Sequence, residues 1–199
     1  MMNLEQNFLG LDLELNLDAT GTPKKIIQVG IAIGNMGNPT DIKTHSWYIN
    51  PCEPIVPYIT ELTGITDEDV INKSTPMETV AKELGELIDK HQTFVNPVQW
   101  GMGDSKELKE MFAVNNVAFP YFGNREIDVK TIFTFLQFLK GREPKGGLRS
   151  CMGRYNVPFN GIPHRADVDA FNTLKFFFKL LDRQGKLEQM LRLGKEVYL

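Results

Sequence analysis

Cysteine is nearly absent from this 199-residue chain: two thiols, Cys52 and Cys151, stand far apart and without metal-ligand spacing. That scarcity excludes a disulfide framework and a thiolate zinc site, leaving two ordinary reduced thiols. A basic excess is missing too. The formal net charge of −3 excludes a domain that coats nucleic acid by bulk electrostatics, although a processing enzyme that grips one chain end is compatible with it. No apolar run is long enough to span a bilayer, and the first eight residues lack the basic segment and apolar stretch of a secretion signal. The expected compartment is the cytoplasm, with no membrane partner. Repeats, low-complexity tracts and long linkers are also lacking. The expectation is one globular unit over 1–199, with a core over about 8–181 and a helical tail over 182–199.

What is present is enough apolar material, 42% of residues, to fill a sizeable core. The first third reads as three strands, Asn7–Leu15, Lys25–Gly34 and Lys43–Ile49, joined by short stretches rich in Asp, Gly and Pro that favour an antiparallel meander. Short helices over Pro57–Leu62 and Asp67–Ile71 flank a Thr63-Gly64 turn. Over Thr79–His91, Val80, Leu84, Leu87 and Ile88 recur at helical spacing. Strands at Thr93–Trp100 and Ile127–Val129 then alternate with helices at Ser105–Val114 and Lys130–Leu139, which implies parallel pairing. A helix opened by Gly146 and Gly147 ends near Asn156. A longer one over Ala166–Leu181 carries Val168, Phe171, Leu174, Phe178 and Leu181 on one face, and a small helix follows Arg183. The fold class expected is α/β, a mixed five-stranded sheet flanked by helices.

Three local features carry chemistry. In Asp12-Leu13-Glu14 a strand places both carboxylates on one face. On a segment otherwise filled by Leu9, Leu11, Leu13 and Leu15, two acids are costly unless they reach water or a cation, and a hard divalent ion is a natural partner. An edge strand with a solvated face is the alternative. Asp104 follows a hydrophobic strand and two glycines and precedes a helix, the junction at which open α/β sheets bind ligands; a simple helix cap is the alternative. His164 precedes a helix whose early turns hold Asp169, so a base and a metal ligand can approach one centre, while acids there also favour the helix macrodipole. Between Lys140 and Arg165 lie six basic residues, Lys140, Arg142, Lys145, Arg149, Arg154 and Arg165. They form either a phosphate-tracking patch or a solvated basic surface. Trp100 and Phe176–Phe178, at their strand and helix positions, are assigned to the core.

In chain order, Asp12-x-Glu14, Trp100-Gly-x-x-Asp104 and His164-x-x-x-x-Asp169 resemble the three motifs of the DnaQ-like, or DEDDh, 3′–5′ exonuclease superfamily, over about Phe8 to Leu181. Leu62-Thr-Gly-Ile-Thr66 and the stretch from Gly147-Leu-Arg-Ser to Asn160-Gly-Ile-Pro-His164-Arg-Ala look like its subgroup that trims histone messenger RNA and small RNAs, together with the KapD-like proteins. The resemblance implies a ribonuclease H-like fold and two Mg²⁺ or Mn²⁺ ions held by Asp12, Glu14, Asp104 and Asp169. It implies His164 as general base with Glu14 beside it in catalysis, and a single-stranded RNA or DNA 3′ end as partner. Substrate contacts would come from Leu15, in a stretch where many relatives carry threonine, from Leu62 and Thr63 near the terminal base or sugar, and from Arg149 and Arg165. Some relatives are dimers, so a homodimer is left open.

Overall fold

The computed structural model describes residues 5–16, 25–119 and 121–196, with side chains to residue 186 and at 189. Strand β1 spans Asn7–Asn16, β2 Lys25–Asn35 and β3 Lys43–Tyr48; helices α1 (Pro57–Thr63), α2 (Asp67–Asn72) and α3 (Met77–His91) follow. Then come β4 (Val98–Gln99), α4 (Asp104–Val114), β5 (Ile127–Asp128), α5 (Val129–Phe138), α6 (Leu148–Gly153) and α7 (Ala166–Glu196). The sheet order is β3-β2-β1-β4-β5. β1 pairs antiparallel with β2 and β2 with β3, whereas β4 runs parallel to both β1 and β5. An antiparallel meander continued by parallel crossovers is the ribonuclease H-like pattern expected from the sequence.

The alternation in β1 divides two cores. Leu9, Leu11 and Leu13 pack on one face with Val80 and Leu84 of α3 and Leu108 and Phe112 of α4. The opposite face presents Gly10, Asp12 and Glu14, and over it lies α7. This helix could not seat there over larger residues: a Cβ on Gly10 would lie 2.8 Å from the Ala170 carbonyl oxygen, and one on Gly30 would lie 2.0 Å from the Ala166 carbonyl carbon. Those obstacles are backbone and cannot swing aside. Gly30→Val is therefore expected to destabilise the fold by about 3 kcal/mol or more, beyond the usual cost of overpacking a core; urea denaturation reads this directly, and an unchanged midpoint would contradict the close seating. The rest of α7 buries Leu174, Phe176, Phe177, Phe178 and Leu180 against α5 and α6, and Trp100 packs on Phe133 and Phe176, as a core assignment requires.

Three boundaries differ from expectation. The Thr93–Trp100 run pairs as a strand only at Val98 and Gln99. Pro97 has no N–H to give a ladder, and Phe94 and Val95 are exposed rather than buried. The segment 166–196 is one continuous helix of 31 residues instead of two. It holds no proline, and its two glycines, Gly185 and Gly194, each disfavour helix by only about 1 kcal/mol, which the Lys186–Asp182 pair one turn apart helps to offset at the first. Helix α6 stops at Gly153, and Asn156, where it was expected to end, has φ 55°, a turn conformation tolerated by asparagine.

Candidate active site

Asp12, Glu14 and Asp169 offer carboxylate oxygens that all lie within 4.8 Å of one another. Two come from β1 and one from the first turns of α7, and the glycine floor lets the two elements meet. Asp104 joins from the far side of β1. The helix α4 begins at Asp104 itself, with Gly103 in the cap position and no side-chain cap bond. Asp104 is therefore the first residue of the helix and not its cap. Asp104 does not belong to the tight triad, but its charge is among the influences that raise the pKa of both Asp12 and Glu14.

All four carboxyls have raised pKa values. Burial, then Asp104, Glu14 and Asp169, push the Asp12 carboxyl well above its ordinary range. Burial and Asp169 push Glu14 up to about 8, against the lowering influence of Arg165. Burial, Glu126 and Glu107 push Asp104 up to about 7. Asp169 is raised by burial as well, despite the hydrogen bond it accepts from the His164 N–H. Acids that resist ionisation in a cluster of oxygens have the donor chemistry that a hard divalent ion takes. The fit is chemical: every donor is a carboxylate oxygen and their charge is mutually repulsive.

His164 lies exposed on the loop before α7 with φ 62°. Its backbone N–H donates to Asp169 Oδ2 at 2.9 Å, and its charge is felt by Asp169, so the imidazole stands at the edge of the cluster. Arg165 donates to the Tyr48 hydroxyl at 2.7 Å and lies over its ring, held between β3 and Glu14.

The other expected substrate contacts fare unevenly. Leu62 is half-buried at the end of α1, but the Thr63 hydroxyl is buried, donating to the Ile59 carbonyl and accepting from the Ile65 N–H. That hydroxyl is committed to ending the helix. Leu15 packs against the core cluster of Leu9, Leu11 and Leu13. Its neighbour Asn16, buried, takes the structural part: it donates to Glu53 and Pro54 and accepts from the Val56 N–H, tying the chain that leads into α1 to the end of β1. Arg149 is exposed on α6. Of the six basic residues, Lys140 donates to the Tyr155 hydroxyl, Arg154 to the Glu143 carbonyl, and Lys145 pairs with Glu143. With Arg165 on Tyr48, four of the six have partners within the protein.

Sequence reasoning missed the residues that fix the turn before Asp104. The Gln99 side-chain oxygen accepts from the Asp104 N–H at 3.1 Å. Asp128 and Glu126 accept from the N–H groups of Gly101 and Gly103, whose φ values are 100° and 121°, fixing the turn that delivers Asp104. Only the alternation of β4 hinted at Gln99, a polar residue in a buried strand.

The sheet is ribonuclease H-like, with carboxylates gathered where its strands and helices meet. Residues 9–177 match the model of the exonuclease family, and the chain belongs to that family. It is 27% identical over 187 residues to the 3′-5′ exonuclease DinG of Bacillus subtilis (strain 168), a match that covers 92% of this chain but spans only 18% of that protein. Among solved structures it superposes on the nuclease domain of 3′hExo, a DEDDh family member bound to rAMP, with a TM-score of 0.76 at 17% identity, covering 92% of this chain and 95% of that one. It also superposes on the zinc-bound form of the E. coli ExoI–ssDNA complex, with a TM-score of 0.69 at 15% identity, covering 94% of this chain and 43% of that one. Among the described residues no helix is long and apolar enough to cross a membrane.

Proposed function

We propose that the chain is a divalent-metal-dependent 3′–5′ exonuclease that releases 5′ mononucleotides from single-stranded ends, with RNA slightly favoured over DNA. The observation that carries the reading is the meeting of Asp12, Glu14 and Asp169 within 4.8 Å beneath a histidine whose backbone is bonded to one of them. Asp12, Glu14, Asp104 and Asp169 would hold two Mg²⁺ or Mn²⁺ ions, four negative charges against four positive. Such ions, when bound, supply Lewis-acid activation of water and neutralise charge that builds on the scissile phosphate. His164 takes the water's proton, since an imidazole nitrogen can accept one while the carboxylates are committed to metal. Arg165, oriented by Tyr48, offers its guanidinium to a phosphate oxygen.

His164→Ala is expected to lower kcat by about 10²–10⁴-fold, the contribution of a positioned general base, with Mn²⁺ affinity unchanged. Loss of metal affinity in that variant would move His164 from base to ligand. The preference for RNA rests on the resemblance to the RNA-trimming subgroup, while the similar structures hold a ribonucleotide in one case and single-stranded DNA in the other. Chromatography of products from matched RNA and DNA strands tests the proposal. Mononucleotides with a 5′ phosphate, formed faster from RNA, are expected; oligonucleotide products or a clear DNA preference would overturn the corresponding part.

A further inference from the structure

Gln28 is wholly buried in β2, an unusual place for a carboxamide between Ile27 and Val29. Its cross-strand partner in the antiparallel register is Glu14, and Gly30, two residues on, pairs with Asp12. Gln28 therefore shares the face of the two metal-binding candidates. Its side-chain oxygen accepts from the Ala166 N–H at 3.1 Å. Ala166 is the first residue of α7, and its N–H is among the donors a helix start cannot satisfy within itself. The other end of the same carboxamide, Nε2, is buried with no hydrogen-bond partner among the described residues.

We propose that Gln28 is the positioning residue of this site: by capping α7 from across the sheet it fixes the helix start, and with it Asp169 and His164, against the carboxylates of β1. The inference rests on the exonuclease reading for its catalytic consequence. The register follows from the bonds already described. Ala166 is pressed onto Gly30, where even a Cβ would not fit. Asp169 bonds through its N–H to the Arg165 carbonyl at 2.8 Å, and the His164 N–H returns to Asp169. One acceptor on β2 thus sets the start of a turn that carries both groups. A buried donor without a partner is costly, and Nε2 of this carboxamide has none among the described residues. An apolar residue of similar shape removes that cost as it removes the cap.

The test compares Gln28→Met, which keeps the shape and loses the acceptor, with Gln28→Glu, which keeps an oxygen of the same reach. Gln28→Asn, with its acceptor drawn back by one methylene, replaces the methionine variant should that fail to fold. In Gln28→Met we expect kcat to fall about tenfold or more with KM within about threefold, because displacement of a catalytic group acts on turnover. The melting temperature should stay within about 4 °C. Hydrogen exchange over residues 164–170 should quicken. Gln28→Glu should recover kcat to within about threefold of the parent protein and restore the slow exchange. Unchanged exchange in Gln28→Met, faster exchange without loss of kcat, or a glutamate variant as impaired as the methionine one would each overturn the proposal. Should the parent protein fail to cleave, the exonuclease reading falls on that result alone, and the exchange arm still decides whether Gln28 holds the start of α7.

Discussion

Replacing Asp12 with asparagine is expected to abolish cleavage and, in metal-free protein at pH 8, to raise the melting temperature. The first effect follows from removing a central oxygen ligand: a loss of at least about a thousandfold in kcat corresponds to about 4 kcal/mol of transition-state stabilisation. The second follows from the empty cluster. Asp12 is held well above its ordinary pKa by burial and by three neighbouring carboxylates, so at pH 8 its ionised form works against folding. A neutral side chain of the same shape removes that penalty. A gain of about 2–8 °C is the scale expected for about 1–2 kcal/mol in a domain of this size. Calorimetry with chelator, beside a cleavage assay, reads both effects. A variant that loses activity because it melts earlier would point to Asp12 as a structural residue.

The stability of the metal-free protein should fall as pH rises from 5 to 8, and divalent ions should reverse the fall. The folded protein pushes the Glu14 carboxyl up to about 8 and the Asp104 carboxyl up to about 7, both above the values of an unfolded chain. Below those unfolded values the groups are protonated in both states and nothing is lost. As pH rises, the unfolded chain releases protons that the folded chain retains, so stability declines until the folded groups ionise in turn. For Glu14 alone the loss by pH 8 is of the order of 4 kcal/mol. Mg²⁺ or Mn²⁺ binds the ionised form and displaces the protons. The gap in melting temperature between metal-loaded and chelator-treated protein should therefore widen steadily across this range. Comparing the two at each pH cancels groups remote from the site. A gap independent of pH would mean that the carboxylates are already ionised without metal.

The strand carrying Asp12 and Glu14, the helix start carrying Asp169 and the meander beginning the sheet were legible because alternation and helical spacing act locally. The residues that bring those groups together were not. Gly30 matters through a helix more than a hundred residues away, and Gln28 and Gln99 act by single hydrogen bonds to helix starts that no spacing rule announces. Thr63 was legible as a motif residue, but its hydroxyl closes α1 through the Ile59 carbonyl, a competition between local and functional bonding that composition does not reveal. For the basic segment both readings stood open, because a count of charges does not show that Lys140 lies over Tyr155 or that Lys145 is matched by Glu143.

The most direct test is a time course on a 5′-labelled single strand with Mg²⁺ or Mn²⁺, with chelator, and with the Asp12→Asn variant. The account predicts a ladder that shortens from the 3′ end, absent with chelator and absent with the variant. Intact strand under both metals with folded protein, or cleavage that survives chelation, would contradict it.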